Sequence, residues 1–337
     1  MKPFIEKVAA GQDLTVEEAS AALETIMTGQ ATDAQIAGLL MALKTKGESV
    51  DELAGFAKVM REKSVAIRVK DPDAVDIVGT GGDGLGTFNI STVSALVVAG
   101  AGVTVAKHGN RSISSQSGSA DVLSALGVNI QLSPEKVQEC INTIGFGFMF
   151  APLFHPAMKY AAKARTELGV RTIFNILGPL TNPAGVVRHF LGAYHLGVAE
   201  KMVKTLQSFG VKKACLVHSE DGLDEISVSA PTQVFEINGK EPLRGYQVTF
   251  EDFGVGIHPL SAMRGGQKEE NAAMTVKILE GVKGPSRDVV VANAAMGIYV
   301  AGKAGTLKEG AAMAVESLGG GKALTTLKRL VEFSNRS

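Results

Sequence analysis

The sequence predicts an α/β protein: a small helical N-terminal domain followed by a larger α/β domain with a mostly parallel central sheet. Three observations predict it. The first sixty or so residues carry three helix starts with one shared signature. From about Asp71-Pro72 onward, short β-branched runs alternate with helical ones. Glycine-rich and polar segments then follow the apolar runs, where ligands gather in such folds.

Thr15 is followed three positions on by Glu18, Thr32 by Gln35 and Ser49 by Glu52. In each pair a hydroxyl and a carboxylate or amide can satisfy each other's free backbone N–H. Each pair also precedes an apolar periodic run, "ASAALETIM", "IAGLLMALK" and "LAGFAKVM". Beyond Asp71-Pro72, "VDIVGT" reads as a strand, "STVSALVVAGAG" as a helix, "VTVAKHG" as a strand and "SADVLSALG" as a helix. The alternation continues through "FGFMF", "HPAMKYAAKARTELG", "HFLGAYH", "AEKMVKTLQSFG" and "KACLVHS". "TQVFEINGK" and "EPLRGYQVTF" read as a hairpin turning at Asn238-Gly239. The C-terminal third returns to helices, although "RDVVVANAAMGIYVAG" fits a buried helix or a strand plus helix equally well.

The chain has 337 residues, 45% hydrophobic and 20% charged, which suits one large or two unequal domains. Lys plus Arg and Asp plus Glu number 34 each, without the basic excess of a nucleic-acid binder. Cys140 and Cys215 sit in apolar contexts and form neither a disulfide framework nor a metal-ligand pattern. No secretory signal or membrane-spanning run is visible, so a cytoplasmic setting is expected.

"DIVGTGGDGLGTFNIST", Asp76 to Thr92, holds five glycines. Gly79, Gly81 and Gly82 permit a sharp turn that brings backbone N–H groups to an anion. The helix begun near Ser91-Thr92 presents further N–H groups, with Asn89, Ser91 and Thr92 as neutral donors. A P-loop is excluded because no Gly-Lys-Ser/Thr closes the segment. A dinucleotide fingerprint is weak, since "LGTFN" separates the glycines from the helix and no acidic ribose ligand follows. An anion site or a plain structural turn remains.

The next strand ends in Lys107-His108-Gly109-Asn110-Arg111 and runs into "SISSQSGSAD". A point charge at Lys107, a fork at Arg111 and several hydroxyls suit a phosphate or diphosphate; either cation could instead be solvated. His108 reads as a ligand contact, a core histidine or a prop for the loop. Asp224 and Glu225, adjacent after "KACLVHS", can both reach an oxygen-loving divalent metal, or simply face solvent. Arg165 on its helix could grip a carboxylate by two hydrogen bonds, or be plain helix surface. Gly178-Pro179 and Asn182-Pro183 are rigid turns that shape the chain.

Together, "GTGGD" (79–83), "NIST" (89–92), "KHGNR" (107–111), "SGSAD" (117–121), "FHPAMK" (154–159), "RTIFNILGPLTNP" (171–183) and "GLDEIS" (222–227) resemble the anthranilate phosphoribosyltransferase family of tryptophan biosynthesis. The likeness spans nearly the whole chain. One departure is Lys163, where the family pattern often carries a proline. The resemblance implies the fold group of the nucleoside phosphorylases, a homodimer, and a site between the domains for phosphoribosyl diphosphate, Mg²⁺ and anthranilate. It implies a helical domain over 1–70, joined by helices from about 155–185, and a donor-binding α/β domain over 71–337. Donor-binding roles fall on Gly79, Gly82, Asp83, Thr87, Asn89, Ile90, Ser91, Thr92, Lys107, His108, Gly109, Asn110, Arg111, Ser112, Ile113, Ser114, Ser115 and Ser119. Ser91, Asp224 and Glu225 match metal positions, and Gly79, Asn110 and Arg165 match anthranilate positions. Lys107 and Arg111 would lend electrostatic support rather than act as a base. A nucleoside phosphorylase-like enzyme and a non-catalytic nucleotide binder are the alternatives.

Overall fold

The computed structural model describes residues 1–111 and 117–336. Helices α1 (Lys2–Ala9), α2 (Val16–Met27), α3 (Asp33–Lys46) and α4 (Val50–Glu62) form the helical start. All three capping boxes exist: Thr15, Thr32 and Ser49 each accept from the backbone N–H three residues on, and Glu18, Gln35 and Glu52 reciprocate. Glu52 does more than cap. Fully buried, it also accepts from Leu14 N at 3.0 Å and from Lys46 Nζ at 2.9 Å, so one carboxylate ties three segments together. Helices α2 and α4 meet at Gly55, where an added Cβ would lie 2.5 Å from the Val16 carbonyl oxygen.

The larger part begins with β1 (Val75–Gly79), α5 (Ile90–Gly100), β2 (Val105–Gly109), α6 (Ser119–Ala125), α7 (Pro134–Ile144) and β3 (Phe146–Phe150). It continues through α8 (Ala151–Phe154), α9 (Lys159–Leu168), α10 (Ile173–Leu177), β4 (Arg188–Gly192), α11 (Leu196–Ser208) and β5 (Lys213–Ser219). Then come β6 (Thr232–Asn238), β7 (Arg244–Val248), α12 (Phe250–Phe253), α13 (Lys268–Leu279), α14 (Pro285–Val300), α15 (Leu307–Gly319) and α16 (Lys322–Ser334). The expected hairpin is β6–β7, with residues 239–243 as its connection and Gly239 at φ +57°. "RDVVVANAAMGIYVAG" is helix: α14 is buried nearly all round, which erased the periodicity that would have announced it.

The sheet order is β3-β2-β1-β4-β5-β6-β7, parallel through β5 and antiparallel beyond it. Successive strand residues point to opposite faces, so Phe190 joins one core and Leu191 the other. One face carries α5, α6, α7 and α13–α16. The other carries α11 and a continuous apolar cluster reaching through α9 and α10 to α2–α4. The molecule is thus a small N-terminal helical domain on a larger α/β domain, as the sequence predicts.

The strand order reverses between β1 and β4. There, helical connections leave in opposite directions and open a crevice beyond the carboxyl ends of the strands.

Candidate active site

A cleft of about 310 Å³ opens at that switch point, within the range of small-molecule sites. It is lined by the loop after β1, the start of α5, the end of β2 and its following loop, α9–α10 and the turn after β5. Gly79, Gly82, Asp83, Thr87, Asn89, Ile90, Ser91, Thr92, Lys107, His108, Gly109, Asn110, Arg111, Ser119, Arg165, Asp224 and Glu225 all line it. Ser112, Ile113, Ser114 and Ser115 lie outside the described residues.

Asp224 and Glu225 do not face solvent; they are 7% and 8% exposed. Two glycines make their seat. A Cβ on Gly79 would lie 2.5 Å from Asp224 Oδ2, and one on Gly192 would lie 2.6 Å from the Asp224 carbonyl carbon. These glycines are register partners at the ends of β1 and β4, so the acidic turn rests directly on the strand ends. Asn293 clamps the next residue from below, its Oδ1 accepting from Ile226 N and its Nδ2 donating to Ile226 O, both at 2.9 Å.

Each acid receives one backbone donor. Gly81 N donates to Asp224 Oδ2 at 2.7 Å and Ser91 N to Glu225 Oε1 at 3.1 Å. The second bond modifies an expectation: the first turn of α5 does not keep all its N–H groups for an external anion. Asn89 makes no side-chain cap to the helix, and Glu225 takes the Ser91 N–H instead. Asn89 braces neighbouring loops, donating to Ser117 O at 3.0 Å and accepting from Asn271 Nδ2 at 3.3 Å.

Burial, with neighbouring Asp83, pushes the Asp224 carboxyl up to about 7. Burial and Asp224 itself hold Glu225 well above the carboxylate range. Asp83 accepts from Leu85 N through Oδ1, while its buried Oδ2 has no partner among the described residues. Two buried acids with Asp83 beside them make a corner that a cation would neutralise. Mg²⁺ fits: it is a hard ion content with two carboxylates, and phosphate oxygens commonly complete its shell. Among the described residues, no three His, Cys, Asp or Glu are gathered closely enough to hold a metal by themselves.

Lys107 is buried, and its ammonium donates to the Ile77 carbonyl beneath the glycine loop. Burial pulls it down to about 8, against the raising effect of the Asp76 and Glu225 carboxylates. It therefore supports the acidic corner from within rather than reaching freely outward. Arg111 pairs with Asp121 at 2.7 Å. His108 Nδ1 lies 3.1 Å from the Gly178 carbonyl, and its ring centroid lies 5.1 Å from that of His155, the planes tilted by 57°. Burial drives His108 down to about 3, so it is a neutral ring.

Across the cleft, Gly169 ends α9 in the left-handed conformation, φ +62°, and Arg165 in its last turn lies 5.1 Å from the Phe174 ring. It has no ion-pair partner among the described residues. Lys163 is absorbed without a break in α9 and pairs with Asp33 of α3 at 2.9 Å. Sequence reading gave no role to the cleft residues Arg171, Phe174 and Asn175, and made the Gly178-Pro179 turn, also in the cleft, only a shaper of the chain. Their segment, "RTIFNILGPLTNP", shows only a helix and turns, and nothing local says that it faces a cleft.

Two family models match the chain: the glycosyl transferase family helical bundle domain over residues 2–64 and its a/b domain over 71–324. An anthranilate phosphoribosyltransferase of Pelotomaculum thermopropionicum is 52% identical over 99% of this chain and 96% of its own. The chain belongs to the anthranilate phosphoribosyltransferase family. Among solved structures, the family's enzyme from Thermus thermophilus is 46% identical, covers 99% of both chains and superposes with a TM-score of 0.93. The Saccharomyces cerevisiae enzyme, in complex with PRPP and Mg, is 29% identical with a TM-score of 0.89 over 98% of this chain and 97% of that one. That family member has also been solved with 4-fluoroanthranilate.

Proposed function

We infer that this protein transfers the 5-phosphoribosyl group from phosphoribosyl diphosphate to the amine of anthranilate. The products are N-(5-phosphoribosyl)anthranilate and diphosphate, the second step of tryptophan synthesis from chorismate. Family membership supplies the reaction. The observation that carries it to these residues is the convergence, at one switch point, of a glycine loop and a buried acid pair opposite an arginine with no ion-pair partner among the described residues.

The chemical difficulty is departure of a highly charged group from a sugar carbon that becomes cationic. Mg²⁺ held by Asp224 and Glu225, with Ser91 beside them, would screen the diphosphate charge. The chain's own part is to bind and orient. Loop N–H groups after β1 and the 107–111 strand end receive the donor's phosphates, with Asp83, Thr87 and Ser119 at the rim. Lys107, from below, offsets part of the cost of charging Glu225. Arg165 grips the anthranilate carboxylate, and Asn110 and Gly79 border the ring. The aromatic amine is neutral near pH 7, so no strong base is needed, and holding two reactants together supplies much of the acceleration.

In the same reading, residues 1–70 with helices from about 155–185 form one domain and residues 71–337 the donor-binding one. Two copies pair, and the enzyme works in the cytoplasm; no helix among the described residues is long and apolar enough to cross a membrane. The test is loss of anthranilate fluorescence with phosphoribosyl diphosphate, with and without Mg²⁺. Folded protein showing no Mg²⁺-dependent turnover would overturn the assignment. Sedimentation at micromolar concentration tests the pairing.

A further inference from the structure

Two guanidinium groups line the cleft without an ion-pair partner among the described residues: Arg165 and Arg171. The reading above uses only the first. Arg171 stands just before α10, and three contacts define its position. Its guanidinium carbon lies 4.8 Å from the centroid of the Tyr194 ring. It also packs against Gly82, where an added Cβ would lie 2.5 Å from Nη2 and 2.6 Å from Cζ. Its carbonyl accepts from Lys44 Nζ of α3 at 2.8 Å.

The partners of Arg171 are themselves tied to the donor loop. Tyr194 N donates to Thr80 Oγ1 at 3.1 Å, and Thr80 N to the Gly192 carbonyl at 2.9 Å. The next N–H, of Gly81, holds Asp224. Gly81 and Gly82 both have positive φ, +66° and +79°, a conformation with few side-chain anchors of its own. A flat cation in contact with both an aromatic ring and the Gly82 backbone supplies the missing anchor.

We propose that Arg171 is a positioning residue for the donor: in contact with both Tyr194 and Gly82, it sets the Gly81–Asp83 turn and, through Lys44, links that turn to the helical domain. This rests on the donor reading above. The role differs from that of Arg165, which faces the acceptor. It requires a planar group, so lysine is a poor substitute even though it keeps the charge.

Donor binding is measured directly by calorimetry, using phosphoribosyl diphosphate with Mg²⁺ and no anthranilate, followed by steady-state kinetics in each substrate. Wild-type protein that binds no donor would defeat the functional reading itself. With donor binding established, Arg171→Ala and Arg171→Lys are each expected to weaken it by about tenfold or more, with anthranilate KM changed by less than about twofold. Lys44→Met is expected to weaken donor binding by about threefold, as for the loss of one solvent-exposed charged contact. Ethylguanidine in solution should restore donor binding to Arg171→Ala but not to Lys44→Met. Unchanged donor binding in Arg171→Ala overturns the proposal. So does a loss confined to anthranilate, or a joint loss of both substrates with a lowered melting temperature and no ethylguanidine rescue. A silent Lys44→Met overturns the link to the helical domain.

Discussion

Replacing Gly192 by alanine adds one methyl group at the end of β4 and should disable the acidic turn. The backbone there does not need glycine's positive φ, so the effect is steric alone. The new Cβ would fall on the Asp224 carbonyl, 2.6 Å from its carbon, where carbon atoms ordinarily sit about 3.5–4.0 Å apart. It would also overlap the carbonyl oxygen outright, so something must move by more than ~1 Å. The strand cannot, because Gly192 is paired with Gly79 on one side and Val217 on the other, in the middle of the sheet. The Asp224-Glu225 turn therefore yields, and a misplacement of about 1 Å at a reacting centre costs roughly 100-fold, or about 2.7 kcal/mol of barrier. The overpacking itself should cost about 1–3 kcal/mol of stability, leaving a folded protein. The assay is Mg²⁺-dependent turnover of anthranilate, beside a thermal melt. Gly245→Ala is the control: it lies in the same sheet, and its Cβ would meet its nearest neighbour at an ordinary 3.6 Å. Turnover of Gly192→Ala within threefold of Gly245→Ala would refute the claim that the strand ends seat the acids.

Further outcomes are expected. Arg165→Ala should raise anthranilate KM by about 10- to 100-fold, as for loss of a charge-assisted hydrogen-bonded pair, with donor KM nearly unchanged; unaltered anthranilate dependence removes the residue from that role. Asp224→Asn with Glu225→Gln should abolish most Mg²⁺-dependent turnover, and wild-type activity should vanish on chelation and return with added Mg²⁺. His189, fully buried with Nε2–H donating to the Val186 carbonyl at 2.9 Å, is driven by burial, and then by Arg61, down to about 3. Only the unfolded state gains its proton as pH falls below about 6.5, so stability is lost progressively from there toward pH 3. Melts of wild type and His189→Gln should differ in that window, the variant gaining about 2 kcal/mol on wild type between pH 7.5 and 5. Parallel curves would mean that His189 does not remain neutral in the folded protein.

What was legible in the sequence was what local chemistry decides. The capping pairs at Thr15, Thr32 and Ser49 act over three residues, and all three form in the fold. Glycine loops and polar strand ends were legible because a parallel sheet places both at the same edge. Less could be read wherever a contact joins distant strands. Nothing near Asp224 reveals that Gly79 and Gly192 lie beneath it, since that depends on the pairing of β1 with β4. Nothing near Lys107 reveals that Ile77 captures its ammonium, or near Ser91 that Glu225 takes its N–H. Nothing near Arg171 marks it out, because its contacts are a ring after β4 and a glycine after β1.

These long-range contacts share a logic. A loop of glycines can approach an anion closely because it lacks side chains, and for the same reason it cannot hold its own shape. The fold supplies that shape from outside. Asp224 anchors Gly81 N–H, Arg171 packs on Gly82, and the bridge between Thr87 and Arg264 closes the loop's far end. Each anchor comes from a different connection of the sheet, so the loop's geometry reports on the assembly of the whole switch point. Substitutions beneath the loop, at Gly192 or Asn293, should therefore damage donor handling as much as changes within it, although neither residue lines the cleft.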